Sequence, residues 1–287
     1  MFGFQRIGDL AWGAGDSRAR GFLLGATAGR TTLAGEGLQH QDGHSLVLAS
    51  TIPNCVTYDP TYAYELAVIV QDGMRRMYTN HEDVYYYITV MNENYTHPAM
   101  PEGAEAGILR GIYLLQKGAK TAKNTVQLLG SGTILREVEK AATILKEEFD
   151  VDANVWSVTS FNELRKDGMD VERWNLMHPG EKPKQAYITQ VLEKTAGPII
   201  AATDYMRAYA EQVRPYLSQK YYVLGTDGFG RSDTRAALRH FFEVDAHYVV
   251  ITALKALADE GKIPVTTVEK AMKRFEINPD KPDPWKV

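Results

Sequence analysis

The chain has 287 residues, of which 44% are hydrophobic and 24% charged, the profile of a globular protein long enough for a sizeable core and about two domains. Lys+Arg is 32 against Asp+Glu 36, a net charge of −4, which excludes a bulk basic protein held to nucleic acid by phosphate contacts. A single cysteine, Cys55, excludes an intrachain disulfide framework, and no apolar run approaches the roughly 20 residues of a membrane-crossing helix. With no signal-peptide pattern at the start, the reading is cytoplasmic or an equivalent reducing compartment.

Phe2, Phe4, Ile7, Leu10 and Ala11 recur at helical spacing, with no N-cap ahead of them. A chain that opens inside a helix pattern at Met1 is expected to be a fragment or to start late. Gly21 to Gly43 holds six glycines, too many for regular structure, and reads as tight loops beside a ligand or another backbone. Ser45 to Ser50 reads as a short buried strand, Pro60 to Tyr78 as a helix, and Val84 to Met91 as a strand rich in β-branched and aromatic residues. Residues 92–124, with Pro98, Pro101 and several glycines, read as a linker, with a possible local strand over Ile112 to Leu115.

Beyond it the pattern alternates. Strands are expected at Thr125–Leu129, Asn154–Val158, Pro198–Ala202 and Tyr221–Leu224. Between them lie a helix over Thr133–Phe149, one opened by a Ser160/Glu163 capping box, and one ending near Val213. Three more helices close the chain, the last opened by Thr266 and Glu269, and the tail after Pro279 is irregular. Strands joined by crossover helices predict an α/β fold with a doubly wound, mostly parallel sheet.

Several motifs carry candidate chemistry. His40 and His44 are spaced as in helical zinc sites, but Gly43 lies between them and Gln41 stands where such a site would need its glutamate. Glu36, His40, Asp42 and His44 among glycines suit acid/base or anion work; a solvated turn fits the same residues. Gly130-Ser131-Gly132 follows a strand and opens a helix, yet Leu135 replaces the third glycine of a dinucleotide fingerprint and no ribose-binding acid follows, so a plain helix start fits better. The loop Gly225–Asp233 offers amides, Arg231 and Ser232 to an anion, opposed by Asp227 and Asp233; a tight loop at a subunit contact is preferred. Cys55 reads as a small buried hydrophobe, Tyr85–Tyr87 as half-buried strand, and Lys117–Lys123 as a solvated loop.

The strings MFGFQRIGD, AGRTTLAGEGLQHQDGHS, YYYITVMNENY, VWSVTSFNELRKDGMD and LGTDGFGRSDTRAALRHFFEVDA closely resemble the thiamine-diphosphate-dependent decarboxylating subunit of the pyruvate dehydrogenase complex, of the homodimeric bacterial type, with the transketolases as wider relatives. The resemblance runs essentially the whole length. It implies residues 1–95 as the C-terminal half of a pyrimidine-binding α/β domain, 96–124 as a linker, and 125–287 as a complete transketolase-like C-terminal domain. The family chain is about three times longer. Its diphosphate motif and its cofactor-activating glutamate are not found here, so the diphosphate and Mg2+ ligands are expected outside this chain, with no metal ligand in it.

By position, the resemblance implies that Phe2 packs on the aminopyrimidine ring and that Arg6 lies near the same pocket. His40 matches the active-site histidine, with Glu36 and Arg30 at or near the substrate entrance and His44 behind it. It further implies pyruvate as substrate and a homodimer. The acetyl group would pass to lipoyl domains of a dihydrolipoyl acetyltransferase core, with no nucleic acid or membrane partner. For the C-terminal domain it implies dimer contacts and support. Half a pyrimidine domain would leave an open sheet edge and uncovered apolar surface, so aggregation or partner dependence is expected before about Asn92.

Overall fold

The computed structural model describes residues 2–34, 40–119 and 121–287, without the side chains of residues 2 and 3. Two sheets organise it. The first has order β1-β3-β2, all parallel, from β1 (Phe22–Gly25), β2 (Cys55–Tyr58) and β3 (Tyr85–Thr89). The central strand is Tyr-Tyr-Tyr-Ile-Thr, buried at every position, so the tyrosines are fully rather than half buried. Alternation along the strand sends them to opposite faces. Tyr85 and Tyr87 pack with α1 (Phe2–Asp16) and α2 (Ser45–Ala49), where Tyr85 donates to the Ala11 carbonyl (2.9 Å) and Phe4 meets Tyr87 edge-on (4.9 Å). Tyr86 and Ile88 pack with α3 (Ala63–Met74) and Val56 on the other face.

Glu65 opens α3. Its carboxylate accepts the N–H groups of Thr61 (2.6 Å) and Tyr62 (2.9 Å), two donors that a helix start leaves without partners. The helix runs on as a π-helical turn over Arg75–Thr79.

The second sheet has order β4-β6-β5-β7-β8. Its strands are β4 (Tyr113–Gln116), β5 (Asn124–Gly130), β6 (Val151–Ser157), β7 (Ile199–Ala202) and β8 (Tyr221–Leu224); only β4 runs antiparallel. Leu129, Ile199 and Ala201 face α6 (Phe161–Met177), α7 (Tyr187–Leu192) and α8 (Arg207–Glu211). Leu128, Ile200 and Ala202 face α5 (Leu135–Phe149), α9 (Arg235–Phe241), α10 (Ala246–Asp259) and α11 (Val265–Arg274). This is the expected doubly wound α/β layer.

The two sheets share one core. A single cluster runs from Phe4, Leu46 and Tyr87 to Trp156, Phe161 and Tyr209. At the start of α6, the Asn162 amide donates to the Leu46 carbonyl (2.8 Å) and to the Thr57 hydroxyl (2.6 Å), and Lys166 donates to the Cys55 carbonyl (2.7 Å).

Some elements differ from expectation. Residues 45–49 form the helix α2, because Asp42 accepts the N–H groups of His44 and Ser45 (both 3.0 Å) and so caps a helical turn. β1 lies in the glycine-rich stretch read as loops, and β2 lies in a segment given no element. Thr266 lies inside α11, whose N-cap is Pro264; Ser160, by contrast, does cap α6, accepting from the Glu163 N–H (3.0 Å). The stretch read as a linker carries α4 (Glu105–Arg110) as well as β4, where the local strand is expected, and Gly111 ends α4 at φ +99°. Leu24, Leu10 and Trp12 are exposed apolar side chains on β1 and α1. Among the described residues no helix is long and apolar enough to cross a membrane.

Candidate active site

The C-terminal ends of β1 and β3 open into a cleft of about 350 Å³ beneath α1, the place where parallel α/β sheets take ligands. Its apolar wall includes Phe4, Ile7, Leu23 and Tyr87, and its polar groups include His40, Asp42 and Ser45. An apolar wall with a few convergent polar groups is the usual make-up of a small-molecule site.

His40 stands exposed at the lip. Arg6 is exposed on α1 and is not among the residues lining the cleft. Phe2 begins α1, its side chain outside the described residues, and Glu36 lies outside them altogether. His40 and His44 sit on a turn rather than one helical face, and no group of three or more His, Cys, Asp or Glu among the described residues could hold a metal ion.

Behind the lip lies Arg30, 1% exposed. Its guanidinium reaches the Gln41 carbonyl and His44 Nε2, each at 3.4 Å, and Nε has no partner. A Cβ at residue 43 would overlap the guanidinium, so Gly43 leaves the room it needs. Burial holds the Arg30 pKa below its ordinary value against the pull of Asp42, Asp204 and Asp227. Burial and then Arg30 lower the His44 pKa, which favours the neutral imidazole. Cys55 is buried and its thiol is pushed up to about 11, chiefly by burial, as suits a structural residue.

The second sheet reaches this site through hydrogen bonds. Asp204, just past β7, accepts the Thr31 N–H (3.1 Å) and hydroxyl (2.8 Å), while its carbonyl accepts the Arg30 N–H (3.2 Å). Met206 N–H donates to the Gly43 carbonyl (3.0 Å). Arg235 Nε donates to the Thr32 carbonyl (2.6 Å). Buried Arg239 joins Thr31 (3.3 Å), Thr133 (3.0 Å), Glu137 (3.4 Å) and Glu93.

Sequence reasoning named none of these contacts. The only local signal was the Gly225–Asp233 loop, whose Arg231 peptide groups pair with the Gln41 side chain. The groove on its other side, about 590 Å³, presents Asp227, Glu243 and Asp283 beside Arg207.

The same packing removes the dinucleotide reading. In an open α/β sheet the ligand crevice lies where the strand order reverses, here between β5 and β7. That crevice is filled by the first sheet's loops. Gly132, at φ +49°, donates to the Asp59 carbonyl (3.2 Å), and a Cβ there would meet the Asp59 carboxylate at 2.6 Å. Ser131 donates to the Thr203 hydroxyl (3.0 Å).

Comparison with known proteins places this geometry. Residues 1–98 match the model of the pyruvate dehydrogenase E1 component middle domain, and residues 111–245 that of the transketolase-like C-terminal domain. The chain is 65% identical over 285 residues to the pyruvate dehydrogenase E1 component of Pseudomonas aeruginosa and 59% identical over 286 to that of Escherichia coli (strain K12). In both cases the match covers 99% of this chain and 32% of the relative, so the chain spans about a third of their length. Among solved structures, transketolases from Campylobacter jejuni (TM-score 0.62, 18% identity, 88% of this chain and 34% of that one) and Leishmania mexicana (0.64, 15%, 88% and 32%) share the fold.

Proposed function

The chain belongs to the pyruvate dehydrogenase E1 component family, and from that premise we propose that it forms the part of the decarboxylating subunit that presents His40 to pyruvate. The observation that carries this is the placement of His40 at the lip of an apolar cleft whose segment is tied down on both sides.

The described residues fit one half of thiamine diphosphate. The cleft, with Phe4 and Tyr87 in its wall, suits a heteroaromatic ring; roles for Phe2 and Arg6 toward that ring rest on the family resemblance alone. The Mg2+ and diphosphate half is assigned to residues outside the third of the relatives' length that this chain matches, as the family resemblance implies. When bound, that cofactor supplies the electron sink that lets carbon dioxide leave a 2-oxo acid.

This chain's own groups orient and exclude. His40 holds the pyruvate carboxylate or carbonyl oxygen and moves a proton there, a task in which the family resemblance also implicates Glu36. The apolar wall keeps water from the reacting face. We further propose a cytoplasmic homodimer that passes acetyl groups to lipoyl domains of an acetyltransferase core, with no nucleic-acid or membrane partner. For residues 125–287 the filled crevice between β5 and β7 favours support and assembly without catalysis of their own.

The test is turnover of pyruvate and of a lipoyl acceptor by a complete E1 chain with thiamine diphosphate and Mg2+. His40→Ala should lower it about 100-fold, the range of a positioned acid–base group. Near-normal turnover overturns the assignment.

A further inference from the structure

We propose that Gln41 is the positioning residue through which the second sheet holds His40 in register with the cleft. The inference rests on the role given to His40 above.

Gln41 is fully buried although its neighbour His40 is exposed. Its side-chain amide pairs with a single residue 190 positions away: Oε1 accepts the Arg231 N–H (2.7 Å), and Nε2 donates to the Arg231 carbonyl. The pair copies one rung of a β-ladder. An Asn or Gln side chain carries a donor and an acceptor on one planar amide whatever the pH, which suits it to satisfy both peptide groups of Arg231. Of the two, glutamine has the longer reach.

Among the described residues the cleft is lined only by ones between Phe4 and Tyr87, with none from the second sheet or its helices. That sheet supports the cleft wall by packing against Phe4 and Tyr87, and it reaches the segment that carries His40 through hydrogen bonds. Near its start, Asp204 holds Thr31 and Arg235 holds Thr32. At its end, the Gly43 carbonyl is held by Met206, and Gln41 by Arg231. Of these anchors Gln41 alone adjoins His40, whose Cα lies one virtual bond, about 3.8 Å, away. Loss of the Arg231 pairing moves that Cα directly, and a misplacement of about 1 Å can cost a reaction on the order of 100-fold.

The test uses a complete E1 chain with thiamine diphosphate and Mg2+. Gln41→Met keeps the volume and deletes both bonds. It should lower kcat about 10- to 100-fold with KM for pyruvate changed less than about threefold, the signature of lost positioning rather than lost binding. In a His40→Ala background the same substitution should change kcat less than about twofold, because the group it positions is gone. Equal losses in both backgrounds, or a Gln41→Met enzyme within twofold of wild type, overturn the proposal.

Gln41→Glu keeps the acceptor for the Arg231 N–H; it should fall between wild type and Gln41→Met, and it carries the same comparison should Gln41→Met not fold. A readout independent of turnover is the rate at which diethyl pyrocarbonate modifies His40, followed by peptide mass spectrometry. A rise of about threefold or more in Gln41→Met supports the anchor, as local opening predicts, and an unchanged rate overturns it. Wild-type enzyme inert toward pyruvate, or a fully active His40→Ala, overturns the function assignment instead, and the modification rate still decides the anchor.

Discussion

Asp204 accepts two hydrogen bonds from Thr31, one from its N–H at 3.1 Å and one from its hydroxyl at 2.8 Å, across 173 positions of sequence. Both residues are buried, and the bond joins the loop after β7 to the segment that leads to His40. Asp204→Ala would orphan two buried donors. By the usual cost of unsatisfied buried groups it should lower stability by about 2–4 kcal/mol in urea unfolding. A Thr31→Val/Asp204→Ala cycle should show strong coupling; additive effects would mean the two residues act separately.

Gly43→Ala tests the space around Arg30. The constraint is contact with the guanidinium, because a methyl group at residue 43 would overlap it. Displacing that buried cation should cost about 1–3 kcal/mol, as overpacking does. A variant as stable as wild type by urea midpoint would show that Arg30 has room to move.

Two buried acids set a pH dependence. Burial pushes the Asp59 carboxyl up to about 7 and that of Asp204 up to about 6. A raised carboxyl pKa means the folded state holds protons the unfolded state has released. Stability from these groups is therefore full below about pH 4, the unfolded value, and is lost as pH rises toward 7. The urea midpoint should be higher at pH 5 than at pH 8. In Asp59→Asn the Thr89 hydroxyl, 2.7 Å from Oδ1, keeps an acceptor, and the difference should shrink. An unchanged slope would exclude Asp59 as its source.

Arg239 lies 5% exposed between Glu93 and Glu137. Burial alone would raise the Glu93 pKa, but Arg239 and Arg136 hold it down at about 2. Glu93 thus stabilises the fold above its ordinary pKa of 4.5 and stops doing so as pH falls from there toward 2. Arg239→Met removes a buried partner from both carboxylates but leaves Arg136 on Glu93 (3.0 Å) and Lys140 on Glu137 (2.7 Å), so it should cost about 1.5–3 kcal/mol at pH 7, with a weaker loss on acidification. Calorimetry at pH 7 and pH 4 checks both.

Much of the fold could be read from the chain alone. The strands β5 to β8 and the helices between them follow the expected segments, because short apolar strand runs alternate there with helices carrying apolar stripes. The short elements β1, β2 and α2 did not show: β1 lies in a glycine-rich stretch, β2 follows Pro53 and Asn54, and the five residues of α2 hold less than two helical turns. α2 depends on a side-chain cap from Asp42 rather than on an apolar pattern.

His40 was named by family resemblance, and the structure puts it at the lip of a cleft. What held it was not legible. Asp204 and Gln41 carry no motif, and their partners lie 173 and 190 positions away. Periodicity and composition determine which segments become strand or helix and which faces turn inward, because those depend on near neighbours. Which loop of one sheet fills the crevice of the other, and so which buried acid or amide grips the histidine segment, is decided only when distant parts pack, since a hydrogen bond depends on final position and not on order along the chain.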